Sequence, residues 1–153
     1  MKDLKEYINE GFKLSKNYKN PFNYYPKTTK ELDALIKQLI KERGIEADLN
    51  DIDVSEITNM SKLFQSSDFN GDISRWDVSN VKSMSYMFAY SKFEGDISSW
   101  DVSGVQNMDR MFFGATLSCD LSKWDVSNVK YKHYVFTKCT LKNKAKKPTF
   151  IEK

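Results

Sequence analysis

Two cysteines, one histidine and no long apolar run set the first limits on this chain. Cys119 and Cys139 are too few for a disulfide framework and read as free thiols in a reducing compartment. Catalysis by a Ser–His or Cys–His pair would need His133. Cys139 lies six residues after it and Cys119 fourteen before it, yet no orienting group is recognisable nearby. Free cysteines of this kind are commonly buried small hydrophobes. The phosphate-binding GxxxxGK[ST] loop, HExxH, GxGxxG and a nucleophile elbow are all missing. The sequence therefore predicts no enzyme, no catalytic residue, no cofactor and no metal.

No stretch reaches the roughly 18 apolar residues of a membrane span. The opening "MKDLKEYINEGF" has no apolar core and no small-residue cleavage site. The expectation is a cytoplasmic protein away from membranes, unless an export segment precedes this stretch in a longer gene product. The 153 residues suffice for one domain with a core. Net charge is only +3 but unevenly spread. Residues 51–129 hold six basic and twelve acidic side chains, while 130–153 hold eight lysines against Glu152 alone. Such an end can contact nucleic acid or simply be solvated.

What is present is organised. Residues 1–20 read as a weak amphipathic helix, with Leu4, Tyr7, Ile8 and Phe12 on one face. "NPFNYYP" reads as a proline-bounded linker, with Tyr24 and Tyr25 packing over the main body. "TTKELDALIKQLIKERG" is the clearest helix: Thr28 and Glu31 fit a capping box. Leu32, Leu35, Ile36, Leu39 and Ile40 form its apolar stripe, and Gly44 its C-cap.

A 24-residue line then repeats: "WDVSNVKSMSYMF" from Trp76, "WDVSGVQNMDRMF" from Trp100 and "WDVSNVKYKHYVF" from Trp124. A degenerate copy precedes them, so Asp53, Asp77, Asp101 and Asp125 align, as do Phe64, Phe88, Phe112 and Phe136. Constant period with constant apolar columns predicts stacked units. Val54-x-x-Ile57 and its copies read as short strands, and Met84, Met87 and Phe88 as one face of a helical turn. The expected fold is an α/β solenoid, a leucine-rich-repeat-like right-handed coil with an N-terminal helical cap. Residues 1–49 would be cap and linker, 50–136 the solenoid and 137–153 a basic tail.

The unit "FNGDISRWDVSNVKSMSYMF" resembles the BspA-like leucine-rich repeat family, in its shorter form a domain of unknown function in mycoplasma lipoproteins and bacteriophages. The resemblance covers residues 25–136 and implies a binding or adhesion scaffold without known chemistry. The last copy departs from the pattern, Lys132 standing in the methionine column, and reads as a capping unit.

Trp76, Trp100 and Trp124 read as a structural ladder, the alternative being a ligand platform. The aspartate column reads as side-chain caps on backbone turns, the alternative being calcium. Candidate protein-binding residues are the variable positions of the constant unit: Arg75, Lys82, Tyr86, Tyr90, Gln106, Asp109, Arg110, Phe113, Lys123, Tyr131, His133 and Tyr134. The alternative is drift of an unrestrained surface. Candidate nucleic-acid contacts are Lys142, Lys144, Lys146 and Lys147. The expected function is a non-enzymatic, intracellular protein-binding repeat module, a monomer or weak homo-oligomer; the resemblance to the family's bacteriophage members further implies a phage-encoded protein acting on a host protein. Its rivals are an adhesin-type module without its export segment and nucleic-acid binding by the tail, with nucleic acid the less favoured partner.

Overall fold

The computed structural model describes residues 21–142 and 145–150. The helix expected within residues 1–20, and Lys144, lie outside the described residues. The helix expected at residues 28–43 forms as α1, Thr29–Arg43. The capping box closes as the sequence dictates. Thr28 Oγ1 accepts from the Glu31 N–H at 3.2 Å, and the Glu31 carboxylate accepts from the Thr28 N–H at 3.2 Å. Leu32, Leu35, Ile36 and Leu39 are 0–2% exposed, whereas Ile40, at the stripe's edge, is only half-buried. Burying each such side chain contributes about 1.5–3 kcal/mol. The Gly44 N–H donates back to Ile40 O at 2.8 Å.

The C-terminal end of α1 is clasped to the body. Arg43 grips Asp51 with two parallel bonds of 2.9 Å, and also donates to Asp48 O at 3.1 Å and to Tyr24 Oη at 3.3 Å. A forked guanidinium–carboxylate contact of this kind fixes direction as well as distance. The Asp51 bond holds the Arg43 pKa above its ordinary value. Tyr24, the expected packing residue, pairs in parallel with Ile52.

The expected α/β solenoid of leucine-rich-repeat type is not formed. Among the described residues there is one helix, α1, and one open two-stranded parallel sheet, β1 (Thr116–Leu117) with β2 (Thr140–Leu141). No β–α unit recurs. The valine segments are turns instead of strands: the N–H of Ile57, Val81, Val105 and Val129 returns to the carbonyl three residues earlier at 2.9–3.1 Å. The methionine segments are not helical either, and their main chain shows why. Met84, Tyr86, Phe88 and Tyr90 send their N–H groups to Asn107, Asp109, Met111 and Phe113 at 2.8–2.9 Å. Only the intervening Met87, Ala89 and Ser91 close local turns, at 3.1 Å each. A helix needs every such donor within its own segment. The segments starting at Met60 and Met108 divide their donors the same way.

Left-handed backbone sets this pattern. Lys62, Tyr86, Arg110 and Tyr134 have φ of 53–65°, as do Ser66, Tyr90, Gly114 and Lys138. Non-glycine residues resist that region, so the surrounding bonds must hold them there.

One apolar cluster runs through the described chain. Phe64, Phe88, Phe112 and Phe136 stack at 5.6, 5.7 and 5.4 Å within 10° of parallel. Trp76, Trp100 and Trp124 donate their indole N–H to Leu49, Ile73 and Ile97 carbonyls at 2.9, 3.1 and 3.2 Å. They are 4–6% exposed, so they are core and not a platform. At Gly71 the neighbouring chain passes so close that a Cβ would overlap the Ala47 carbonyl oxygen.

A tyrosine and arginine ledge as candidate functional site

The recurring aspartates do local work. Asp53, Asp77, Asp101 and Asp125 accept from the N–H of the serine two residues on, at 3.0–3.1 Å. Asp72, Asp96 and Asp120 do the same at 2.8–2.9 Å. These are the side-chain-capped turns that the Asp-x-Ser spacing predicts. The Ser103 hydroxyl and then its N–H draw the Asp101 carboxyl below its usual range. Asp120 and Asp125 are lowered by Ser122 and Ser127 in the same way.

The variable residues divide into groups. Tyr86, Arg110 and Tyr134 come together because each sits at the same left-handed position of a turn segment. The Arg110 guanidinium lies over the Tyr86 ring at 5.4 Å and the Tyr134 ring at 4.9 Å. Its Nη1 donates to Tyr86 Oη at 2.8 Å. No carboxylate among the described residues pairs with it. Beside this ledge, the His133 N–H donates to Asp109 Oδ1 at 2.7 Å, and the ring Nδ1 lies 3.2 Å from the same oxygen. Tyr90 packs edge-on to Phe113 at 5.3 Å. Gly114 makes room for that ring, since a Cβ would meet Tyr90 Cδ1 at 2.8 Å. Tyr90, Tyr131 and Tyr134 are each more than half exposed.

The remaining candidates stand apart. Arg75 faces Asp48 at 3.9 Å and lines a hollow of about 410 Å³ with Pro21, Phe22, Arg43, Asn50 and Asp51. Lys123 is exposed, in the same sequence column as Arg75. Lys82 and Gln106 are exposed side chains on residues whose main chains bond one another, Gln106 N–H to Lys82 O at 2.9 Å.

Two participants escaped the sequence reading. Lys62 Nζ lies over the Tyr86 ring at 5.8 Å, and Lys138 Nζ over Phe113 at 5.6 Å. Lys62 lies 24 residues before Tyr86 in one column, and Lys138 lies 48 residues after Tyr90 in another.

Among the described C-terminal lysines, three are engaged with the body. Lys142 bonds Glu94 at 2.6 Å, Lys146 faces Asp120 at 3.4 Å, and Lys147 lies over Phe136 at 5.1 Å. The Lys142 bond holds the Glu94 carboxyl below its ordinary value. The functional expectation also falls. A protein-binding repeat module, intracellular and phage-encoded, drew its case from a leucine-rich-repeat coil that the chain does not form. The adhesin-type and nucleic-acid-tail alternatives lose their support with it. Among the described residues no helix is long and apolar enough to cross a membrane.

No curated protein and no solved structure matches the chain. The profile of DUF285, described as a Mycoplasma protein of unknown function, matches residues 32–148. That span includes most of α1, all the turn segments and the returning C-terminal strand. The chain belongs to this family, DUF285.

Proposed function

We propose that the chain is non-catalytic and that the ledge of Tyr86, Arg110 and Tyr134 recognises a carboxylate. The observation that carries this reading is an arginine in contact with two tyrosine rings and with no acidic partner among the described residues. The two ring contacts and the bond to Tyr86 Oη hold the guanidinium in place, and its remaining N–H groups can donate to a carboxylate. Exposed tyrosines beside it supply rigid contact area of the sort that dominates recognition surfaces. The source we favour is an Asp or Glu side chain displayed by a partner protein. Nucleic acid fits less well, because the twelve acidic and six basic side chains of residues 51–129 repel a polyanion.

The absence of catalysis is supported by the thiols. Burial raises both Cys119 and Cys139, the reverse of what a nucleophile needs. The His133 ring is engaged with Asp109, and no hydrogen bond joins it to either sulfur.

The test is retention of a peptide library on the immobilised full chain. Peptides rich in Asp and Glu should be enriched, and Arg110→Ala should lose that enrichment. Arg110→Lys should recover only part of it, since an ammonium lacks the fork. Equal enrichment on folded Arg110→Ala protein would remove the assignment.

A further inference from the structure

The last turn segment offers main-chain donors that no described residue takes. In the three preceding segments, the N–H groups at the positions of Lys62, Phe64 and Ser66 each reach a carbonyl of the next segment. Tyr86, Phe88 and Tyr90 do so, then Arg110, Phe112 and Gly114. Tyr134, Phe136 and Lys138 are the next set. Their N–H groups bond to no described residue. Tyr134 and Lys138 are exposed, while Phe136 is half-buried with Phe150 and Lys147 against its ring, so the row is open at its two ends. Unpaired main-chain donors at regular spacing are a template for another chain.

The acceptor matching this row within the chain would be the first segment's own carbonyls, at Ser61, Leu63 and Gln65. They are also unbonded. But α1 lies against that end, with Thr29 Oγ1 donating to Asn59 O at 2.6 Å. A second copy therefore cannot seat flush there. Charge selects the occupant instead. Residues 130–153 carry eight lysines against one glutamate, and exposed Lys130 and Lys138 pair with no carboxylate among the described residues.

We propose that the edge formed by Tyr134, Phe136 and Lys138 docks a main-chain segment of a partner protein that supplies carbonyls from alternate residues and bears acidic side chains. This site is separate from the Arg110 fork, although Tyr134 lends its ring to one and its N–H to the other. It therefore stands or falls independently of the carboxylate reading.

The probe is a synthetic peptide copying residues 105–115, a segment with the required carbonyl spacing. It is made in two forms, with Asp or with Lys at the positions of Gln106 and Arg110. Each is titrated into the full isotope-labelled chain and followed by amide shifts and hydrogen exchange. The acidic form should shift and protect the amides of Tyr134, Phe136 and Lys138, leaving those of Tyr86 and Phe88 unchanged. Lys130→Glu with Lys138→Glu should weaken it about tenfold and favour the lysine form. Three outcomes overturn the proposal: no response at these amides with either peptide, equal response to both peptides, or protection that grows with protein concentration alone and needs no peptide. Shifts confined to the Arg110 side chain and the tyrosine rings would also overturn it, while leaving the carboxylate reading intact.

Discussion

The two ends of the molecule face the same problem and solve it differently. Each would expose an apolar surface and a row of main-chain groups if left bare. At the first end, α1 lays four side chains on the core, and Val54, Ile57 and Phe64 are each 1% exposed. At the other end, a short segment returns as β2, then crosses with Pro148 buried and Phe150 lying 6.4 Å from Phe136. The same columns are less protected there: Val126 is 5% exposed, Val129 is 9% and Phe136 is only half-buried. Aligned residues of similar type thus differ in burial because of what covers them. A helix covers a broad area, and its cap and clasp orient it. A short segment covers Phe136 and leaves Tyr134 and Lys138 exposed.

The sharpest way to break this comparison is to damage the helical cover. Leu35→Ala removes a fully buried side chain at its centre. The expected loss is about 2–5 kcal/mol, read from urea unfolding. A loss below about 1 kcal/mol would mean α1 is not integral to the core. Next in size is the clasp. Arg43→Ala leaves the Asp51 carboxylate without its forked partner, and about 1.5–3 kcal/mol should go. Adding Asp51→Ala to that variant should cost little more, because the two residues act together.

The helical cover was legible in the sequence because every signal agreed: Thr28, Glu31, a stripe at helical spacing, and Gly44. The columns were legible too, since a fixed period needs only counting. The backbone between them was not. Met-x-x-Met-Phe fits one face of a helical turn equally well, and nothing in the identity of Tyr86, Tyr90, Arg110 or Tyr134 announces a positive φ. Their conformation is imposed by donors committed to the next segment, a tertiary effect that local propensity cannot carry. The ledge was half-legible for the same reason. Variable positions pointed to Tyr86, Arg110 and Tyr134, but only the left-handed column shows that they touch and that Arg75 and Lys123 belong elsewhere.

Acid should weaken the body by many small steps. Asp72, Asp101, Asp120 and Asp125 all have folded pKa values below the ordinary carboxylate value. Asp72 owes this first to the Ser74 N–H, the others first to a serine hydroxyl. Around the ordinary range the unfolded chain then binds more protons than the folded one. Stability from these turns is fully present above the unfolded pKa, about 3.9, and is lost as pH falls through the lower folded values. Melting temperature should be level above about pH 5 and decline below about pH 4. Replacing Ser103 and Ser127 with alanine should flatten part of that decline, since each removes a hydroxyl donor while keeping the N–H. An unchanged acid limb would place the pH dependence elsewhere, first of all at the Arg43–Asp51 clasp.

The smallest expected effect comes from the far end and sharpens the comparison most. Phe150→Ala removes the ring that packs against Phe136 and lies under Lys132, at 6.4 and 5.7 Å. The ring is only half-buried, so its area term is a fraction of that of Leu35. Aromatic pairing adds about 0.5–1.5 kcal/mol. The combined loss should stay below that of Leu35→Ala, and unfolding should remain one cooperative transition. What should change is local: exchange of the Thr137 and Cys139 amides, bonded at 3.2 and 3.1 Å, should quicken, while amides near α1 keep their protection. If Phe150→Ala instead destabilised the whole chain as much as Leu35→Ala, the two ends would be equally dependent on their covers. The openness of the Tyr134–Lys138 edge would then no longer mark a difference between them.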